Sequence, residues 1–228
     1  FLFRVIFEKE EIPAGSNLTD DIKQMLGLMT KTLVIVFVCS AFLFVMIEQG
    51  IMTWLPTFNN RVLDLPQNIS IIMASILAIS LGVGRILAGI LAQKFSWIWI
   101  LTFCIIAAMS LVIFVLPETV NANVGEINSI TDIPLIGFAF PLVGLFIAPI
   151  YPMLNSVVLS ALPQRLHSPM TGLIVIFSAL GGTLGSRIIG YLFKELGAET
   201  AFYYTLIPMA LLLVSFFVLK RLTSKIGK

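Results

Sequence analysis

The stretch TLVIVFVCSAFLFVMIEQGIMTWLPTF, residues 32–58, holds one charged side chain, Glu48. From Thr32 to Ile47 there is none. A helix rises about 1.5 Å per residue, so ~20 mainly apolar residues cross a hydrocarbon core of ~30 Å. This run is long enough to cross. The rest of the chain is built alike: of 228 residues, 58% are hydrophobic and 11% charged, and mean hydropathy is +1.03. A soluble domain is ~45–50% apolar and ~25% charged. The composition therefore specifies an all-α membrane protein.

Six spans are expected, at about 32–58, 69–95, 97–116, 134–162, 169–193 and 201–221. They form a transmembrane bundle over 32–221, followed by a tail at 222–228. The opening FLFRVIF, residues 1–7, reads as the end of a truncated preceding helix. Residues 8–31, with EKEE, PAGS and TDD, read as a polar linker carrying a short amphipathic helix from about Leu18 to Met29. With that linker and the tail in the cytoplasm, the inside segments hold Arg4, Lys9, Lys23, Lys31, Lys94, Arg165, Lys220, Arg221, Lys225 and Lys228. The outer loops hold only Arg61 and Lys194, as the positive-inside rule requires. The expected location is a plasma membrane, bacterial inner membrane being the natural case. The net charge of +2 reflects this topology and does not point to nucleic acid.

Nothing in the sequence suggests covalent chemistry. Cys39 and Cys104 fall inside spans without metal-ligand spacing, and His167 stands alone in the short loop PQRLHSP. NLT at Asn17 and NIS at Asn68 match the glycosylation pattern by chance. No nucleophile elbow, zinc motif or phosphate loop is present, so no enzyme activity, metal or cofactor is expected.

Internal repetition is the informative signal. GRILAGILAQKF (84–95) ends span two and SRIIGYLFKELG (186–197) ends span five. Each reads small residue, Arg, two aliphatics, Gly and then Lys, which gives Arg85 and Arg187 equivalent places. Two three-span units, 32–116 and 134–221, would repeat with inverted topology, as in secondary transporters. Gly84, Ala88 and Ala92 recur every fourth residue on span two, and Gly182, Ser186 and Gly190 on span five, beside Gly181 and Gly185. Such stripes let helices approach closely in lipid. Span four, FPLVGLFIAPIYPMLN, carries Pro141, Pro149 and Pro152, each of which removes a helix hydrogen bond and bends the chain. Freed carbonyls at membrane depth must be buried or line a wet cavity.

GILAQKFSWI (89–98) resembles the loop motif of the major facilitator superfamily, approximately G-x-L-x-D-R-F-G-R-R. Gly89, Leu91, Lys94 and Phe95 match, while Gln93 replaces the acid and Ser96 the second Gly. APIYPMLNSVVLSALPQR (148–165), EQGIMTWLPTF (48–58) and GLIVIFSALGGTLGSRIIGYLF (172–193) also resemble that superfamily, with the character of its sugar-permease branch.

The resemblance implies the C-terminal six-helix half of a twelve-helix transporter, with an N-terminal half as partner. Spans one and four would face a central cavity between the halves, and spans two and five would meet the other bundle. Glu48, Gln49, Trp54, Tyr151 and Asn155 become candidates for the cavity wall, with Asn59 and Asn60 at the outer mouth. Trp54 serves equally well as an interfacial anchor. Tyr151 and Asn155, four apart, can bind one hydroxylated solute or satisfy each other or a nearby carbonyl. Arg85, Gly89, Gln93 and Lys94 are the loop-motif and gating candidates, and loss of the motif acid at Gln93 weakens the cytoplasmic latch. Counting rise from the cytoplasmic face puts Glu48 roughly 22 Å up and Arg187 roughly 26 Å up. Spans one and five are neighbours in the resembled fold, so a buried Glu48–Arg187 pair is expected. The function implied is secondary active transport of a small polar solute, sugar-like and proton-coupled. Alternatives are a transporter-derived sensor or scaffold, and a channel subunit.

Overall fold

Proline and glycine decide how the spans bend and how closely they approach. The computed structural model describes residues 18–121, 132–133 and 135–226. The expected helix end at 1–7, residues 8–17 of the linker with the NLT pattern, and the last two residues of the tail lie outside it. Among the described residues, six helical stretches are long and apolar enough to cross a membrane: Thr32–Val62, Gln67–Leu91, Trp97–Glu118, Gly137–Ser160, Gln164–Glu195 and Phe202–Ser224. Before them comes α1 (Leu18–Leu28). Its Met25 lies near Gly172, which brings it against the start of span five.

Span one is a single helix, α2 (Thr32–Val62), despite Pro56 in its last turns. It is the central element: half of its apolar window is buried, including Phe37, Phe44, Ile47, Ile51 and Leu55. A tight turn joins it to α3 (Gln67–Leu91). Asp64 takes a left-handed φ of 49° there, a conformation a short polar side chain tolerates. The turn is pinned by Asn60 Nδ2 donating to the Leu65 carbonyl at 2.8 Å and by Ser70 Oγ donating to the same oxygen at 3.3 Å. This fixes the register of α3 against α2. Span three comprises α4 (Trp97–Ser110), a π-helical turn at Leu111–Val115 and α5 (Leu116–Asn121).

The prolines divide span four into α6 (Leu135–Ala139), α7 (Val143–Ile147) and α8 (Ile150–Ser160). After Pro141 the backbone tightens to three-residue hydrogen bonds, from Val143 N to Phe140 O and from Gly144 N to Pro141 O. Pro149 has no N–H for the Leu145 carbonyl. That oxygen instead lies on Gly84 of α3, where any Cβ would overlap it. Gly144 faces Leu77 and Leu81 of the same helix, so glycines on both sides let α3 and α7 cross backbone to backbone. The chain continues through α9 (His167–Glu195), α10 (Ala198–Ala201) and α11 (Leu206–Ile226).

The tightest seam joins α2 and α9. A Cβ on Gly181 would overlap the Phe42 carbonyl, and one on Gly185 the Met46 carbonyl. Gly50 faces back onto Gly185 and Ile189. At one end of this seam an aromatic cluster ties α2, span four, α9 and the start of span six together. Phe58 stands 5.9 Å from Phe140 and 5.2 Å from Phe202, and Phe193 stands 5.4 Å from Phe202. Offset and edge-on rings at these separations add ~0.5–1.5 kcal/mol per pair beyond their buried area. Near the other end, Ser40 Oγ bonds Ser215 Oγ at 2.9 Å, linking α2 to α11.

Candidate functional site

Two helices carry polar residues along one edge. On α2, Glu48, Gln49 and Thr53 are partly or fully exposed, while Ile47, Ile51 and Leu55 are buried behind them. On α8, Tyr151, Asn155 and Ser156 form the accessible edge, and Ile150, Leu154 and Val158 the buried one. The 3.6-residue period separates the two faces on each helix. Phe44 joins the edges by stacking on Tyr151, with ring centroids 5.5 Å apart.

Glu48 meets Arg85 of α3, not Arg187. The Arg85 Nη2–Glu48 Oε1 distance is 3.2 Å, with the carboxylate side chain 12% exposed and the guanidinium 54%. Arg187 is exposed and makes no ion pair among the described residues. The two charges stand level in the bundle, but Arg187 does not face Glu48. Gly181 sits on Phe42 and Gly185 on Met46, so the parallel helices α2 and α9 are offset by 139 residues, which levels Arg187 with Glu48. Yet Gly185 and Ile189 both face α2, and Arg187 lies two residues from each. Two residues turn a helix by roughly 200°, so Arg187 points away from Glu48. Arg85 is reached along the other neighbour. Counted from the pinned α2–α3 turn, Glu48 is 14 residues before Val62 and Arg85 is 18 after Gln67. Four residues of rise is roughly 6 Å, within an arginine's reach.

The other candidates separate by how well their polar atoms are satisfied. Trp54 lies across α9 on Gly190, stacks near Phe193 at 5.2 Å, and donates its indole N–H to the Ser186 carbonyl at 2.7 Å. It therefore packs one helix on another. The Tyr151 hydroxyl bonds Ser178 Oγ of α9 at 3.1 Å. Ser178 had no distinguishing sequence signal. Asn155 differs, because its Oδ1 is buried with no hydrogen-bond partner among the described residues. Gln49 packs its methylenes on Gly182 and makes no hydrogen bond among the described residues. A buried acceptor left unpaired costs ~1–3 kcal/mol, so Asn155 is an open position for a donor. Asn59 is buried with Nδ2 unpaired among the described residues, while Asn60 is consumed by the turn.

Of the loop-motif and gating candidates, Arg85 joins this edge through Glu48, while Gly89, Gln93 and Lys94 lie further along the chain toward α4. α3 ends at Leu91, and Ala92–Phe95 form the turn into α4, with Gln93 and Lys94 exposed. Gly89 has open space around it. No group of three or more metal-ligating side chains occurs among the described residues.

Among the described residues, six spans in two inverted three-helix units, with a polar edge on the first helix of each, define an integral multi-pass membrane bundle. The Major Facilitator Superfamily model matches residues 2–186, and the chain belongs to that superfamily. A crystal structure of the E. coli fucose:proton symporter FucP superimposes with a TM-score of 0.69 at 14% identity. The match covers 89% of this chain and 46% of that one, so the chain spans about half the length of that protein. No curated protein matches by sequence.

Proposed function

We propose that the chain is the C-terminal half of a secondary active transporter that moves a small polar solute by alternating access, with the α2 and α8 edges as its share of the solute path. Superfamily membership and coverage of about half of the structural neighbour support this reading. The single observation that carries it is the Asn155 Oδ1, buried and unpaired beside Tyr151 on one helix edge. With the free Gln49 amide it offers acceptors and donors to a hydroxylated solute, which favours a sugar-like substrate and, with the symporter as neighbour, proton coupling. Glu48, held by Arg85, is then the charged group of the path. The partner is an N-terminal six-helix bundle, and the linker and tail face the cytoplasm of a bacterial inner membrane. Residues 1–7, 8–31, 32–221 and 222–228 serve as preceding helix end, linker, bundle and tail.

Solute counterflow in vesicles holding the full-length protein tests this, with a panel of labelled monosaccharides and Asn155→Leu and Gln49→Leu as controls. Accelerated exchange that both variants weaken is the expected result. A channel would conduct without exchange acceleration, and a sensor or scaffold would show neither. The scaffold reading draws on one feature, Gln93 where the superfamily motif has an acid.

A further inference from the structure

A sizeable cavity lies away from the polar edge. It is a groove of about 610 Å³ between α3, α4 and α7, bordered by Gly84, Leu91, Trp99, Phe103, Phe146 and Pro149. Inverted symmetry relates it to a crevice between α9, α11 and α2, where Met46, Gly185, Tyr204 and Pro208 leave only about 20 Å³. The same three-helix packing is closed in one unit and open in the other. The open copy lies where Pro149 divides α7 from α8, and the closed copy borders the unbroken α2. An empty groove is therefore no necessary result of the architecture.

Its surroundings specify the occupant. The rim is apolar and exposed, with Trp99 70%, Phe103 65% and Leu91 41% accessible, and α4 carries no charged residue. Such an apolar lining on membrane-spanning helices is complementary to hydrocarbon rather than to water. From Gly84 to Leu91 the α3 wall climbs roughly 10 Å, a large part of one leaflet's ~15 Å of hydrocarbon. At its end the chain turns through Gln93 and Lys94 beside the lining residue Phe95. Lys94 is exposed and makes no ion pair among the described residues. Trp97 and Trp99 follow at once, the aromatic signature of the membrane–water boundary.

We infer that this groove is a binding site for one anionic phospholipid of the leaflet on the α3–α4 loop side. One acyl chain lies along α3 and α4, and the phosphate sits on the Lys94 ammonium. The inference is independent of what the protein transports.

The test uses the full-length protein in lipid nanodiscs with Trp99 as sole tryptophan of this chain, through Trp54→Phe and Trp97→Phe. Its fluorescence is titrated with phosphatidylglycerol or phosphatidylcholine brominated in the acyl chain. One lysine near the surface contributes ~1 kcal/mol toward an acidic headgroup, so brominated phosphatidylglycerol should quench at about fivefold lower mole fraction. Lys94→Glu should abolish that preference, and Leu91→Phe, which fills the rim, should weaken quenching by both lipids. Equal quenching by the two headgroups would reduce the groove to ordinary lipid contact and overturn the inference. Absence of quenching by either would show another part of the protein covering it, with the same consequence. Native mass spectrometry of the unsubstituted protein gives a second reading that needs no variant. One phosphatidylglycerol retained per chain is expected, and retention of none contradicts the site.

Discussion

Removing the two members of the Glu48–Arg85 pair should have unequal costs. Arg85→Gln leaves a carboxylate that is 12% exposed at mid-helix without its partner. A stranded charge at the centre of a membrane helix costs ~2.5–3.5 kcal/mol on insertion scales. Glu48→Gln strands a guanidinium that is already 54% exposed and can follow its long stem toward water, so its cost falls to about 1 kcal/mol. The double substitution strands neither charge and should be milder than Arg85→Gln alone, giving a coupling of at least ~1 kcal/mol. For a bundle of this size, 1 kcal/mol shifts a melting midpoint by ~2–4 °C. Fluorescence-detected size exclusion after heating in detergent should then show losses of about 6–12 °C for Arg85→Gln and about 2–4 °C for Glu48→Gln. Arg187→Gln should stay within about 2 °C, since that side chain makes no pair among the described residues. Additive single effects, or an Arg187→Gln loss as large as that of Arg85→Gln, would refute the pairing and restore the α9 partner.

Other consequences are equally concrete. Gly185→Val should abolish folded expression, because its Cβ would collide with the Met46 carbonyl, whereas Gly182→Ala meets only side-chain atoms at 3.1 Å and should express normally. Expression yield after size exclusion separates the two, and a tolerated valine would mean that α2 and α9 do not touch there. Trp54→Phe removes the 2.7 Å bond to the Ser186 carbonyl and should cost about 1 kcal/mol of stability while counterflow persists; complete loss of exchange in a folded variant would make Trp54 part of the solute path. With Cys39 and Cys104 replaced, an impermeant thiol reagent should label Arg61→Cys in intact cells and leave Ser224→Cys untouched until permeabilisation. The reversed pattern would invert the proposed orientation.

What the sequence made legible follows from which physical quantities are one-dimensional. Span number depends on length and hydropathy alone, so the run at 32–58 and its five successors could be counted. Depth is a rise per residue, and the depth of Arg187 relative to Glu48 was obtained correctly. Direction around a helix needs a contact to set its zero, and Gly181 and Gly185 supply it only once α9 is seen on α2. The prolines announced a broken span four. That Pro149 would leave the Leu145 carbonyl on Gly84, and open a groove where the other unit has none, depends on how α7 meets α3. Tyr151 and Asn155 share an edge by spacing alone. Their different fates, one satisfied by Ser178 and one unpaired, turn on a serine that resembles every other serine in an apolar helix.

The central claim, that this bundle is half of an alternating-access machine, is tested most directly by reconstituting it with and without the complementary bundle. Labelled-solute uptake into proteoliposomes should be absent for the 228 residues alone, even when circular dichroism and size exclusion show them folded, and should return when the N-terminal bundle is co-expressed. Robust uptake by the isolated chain would contradict the account.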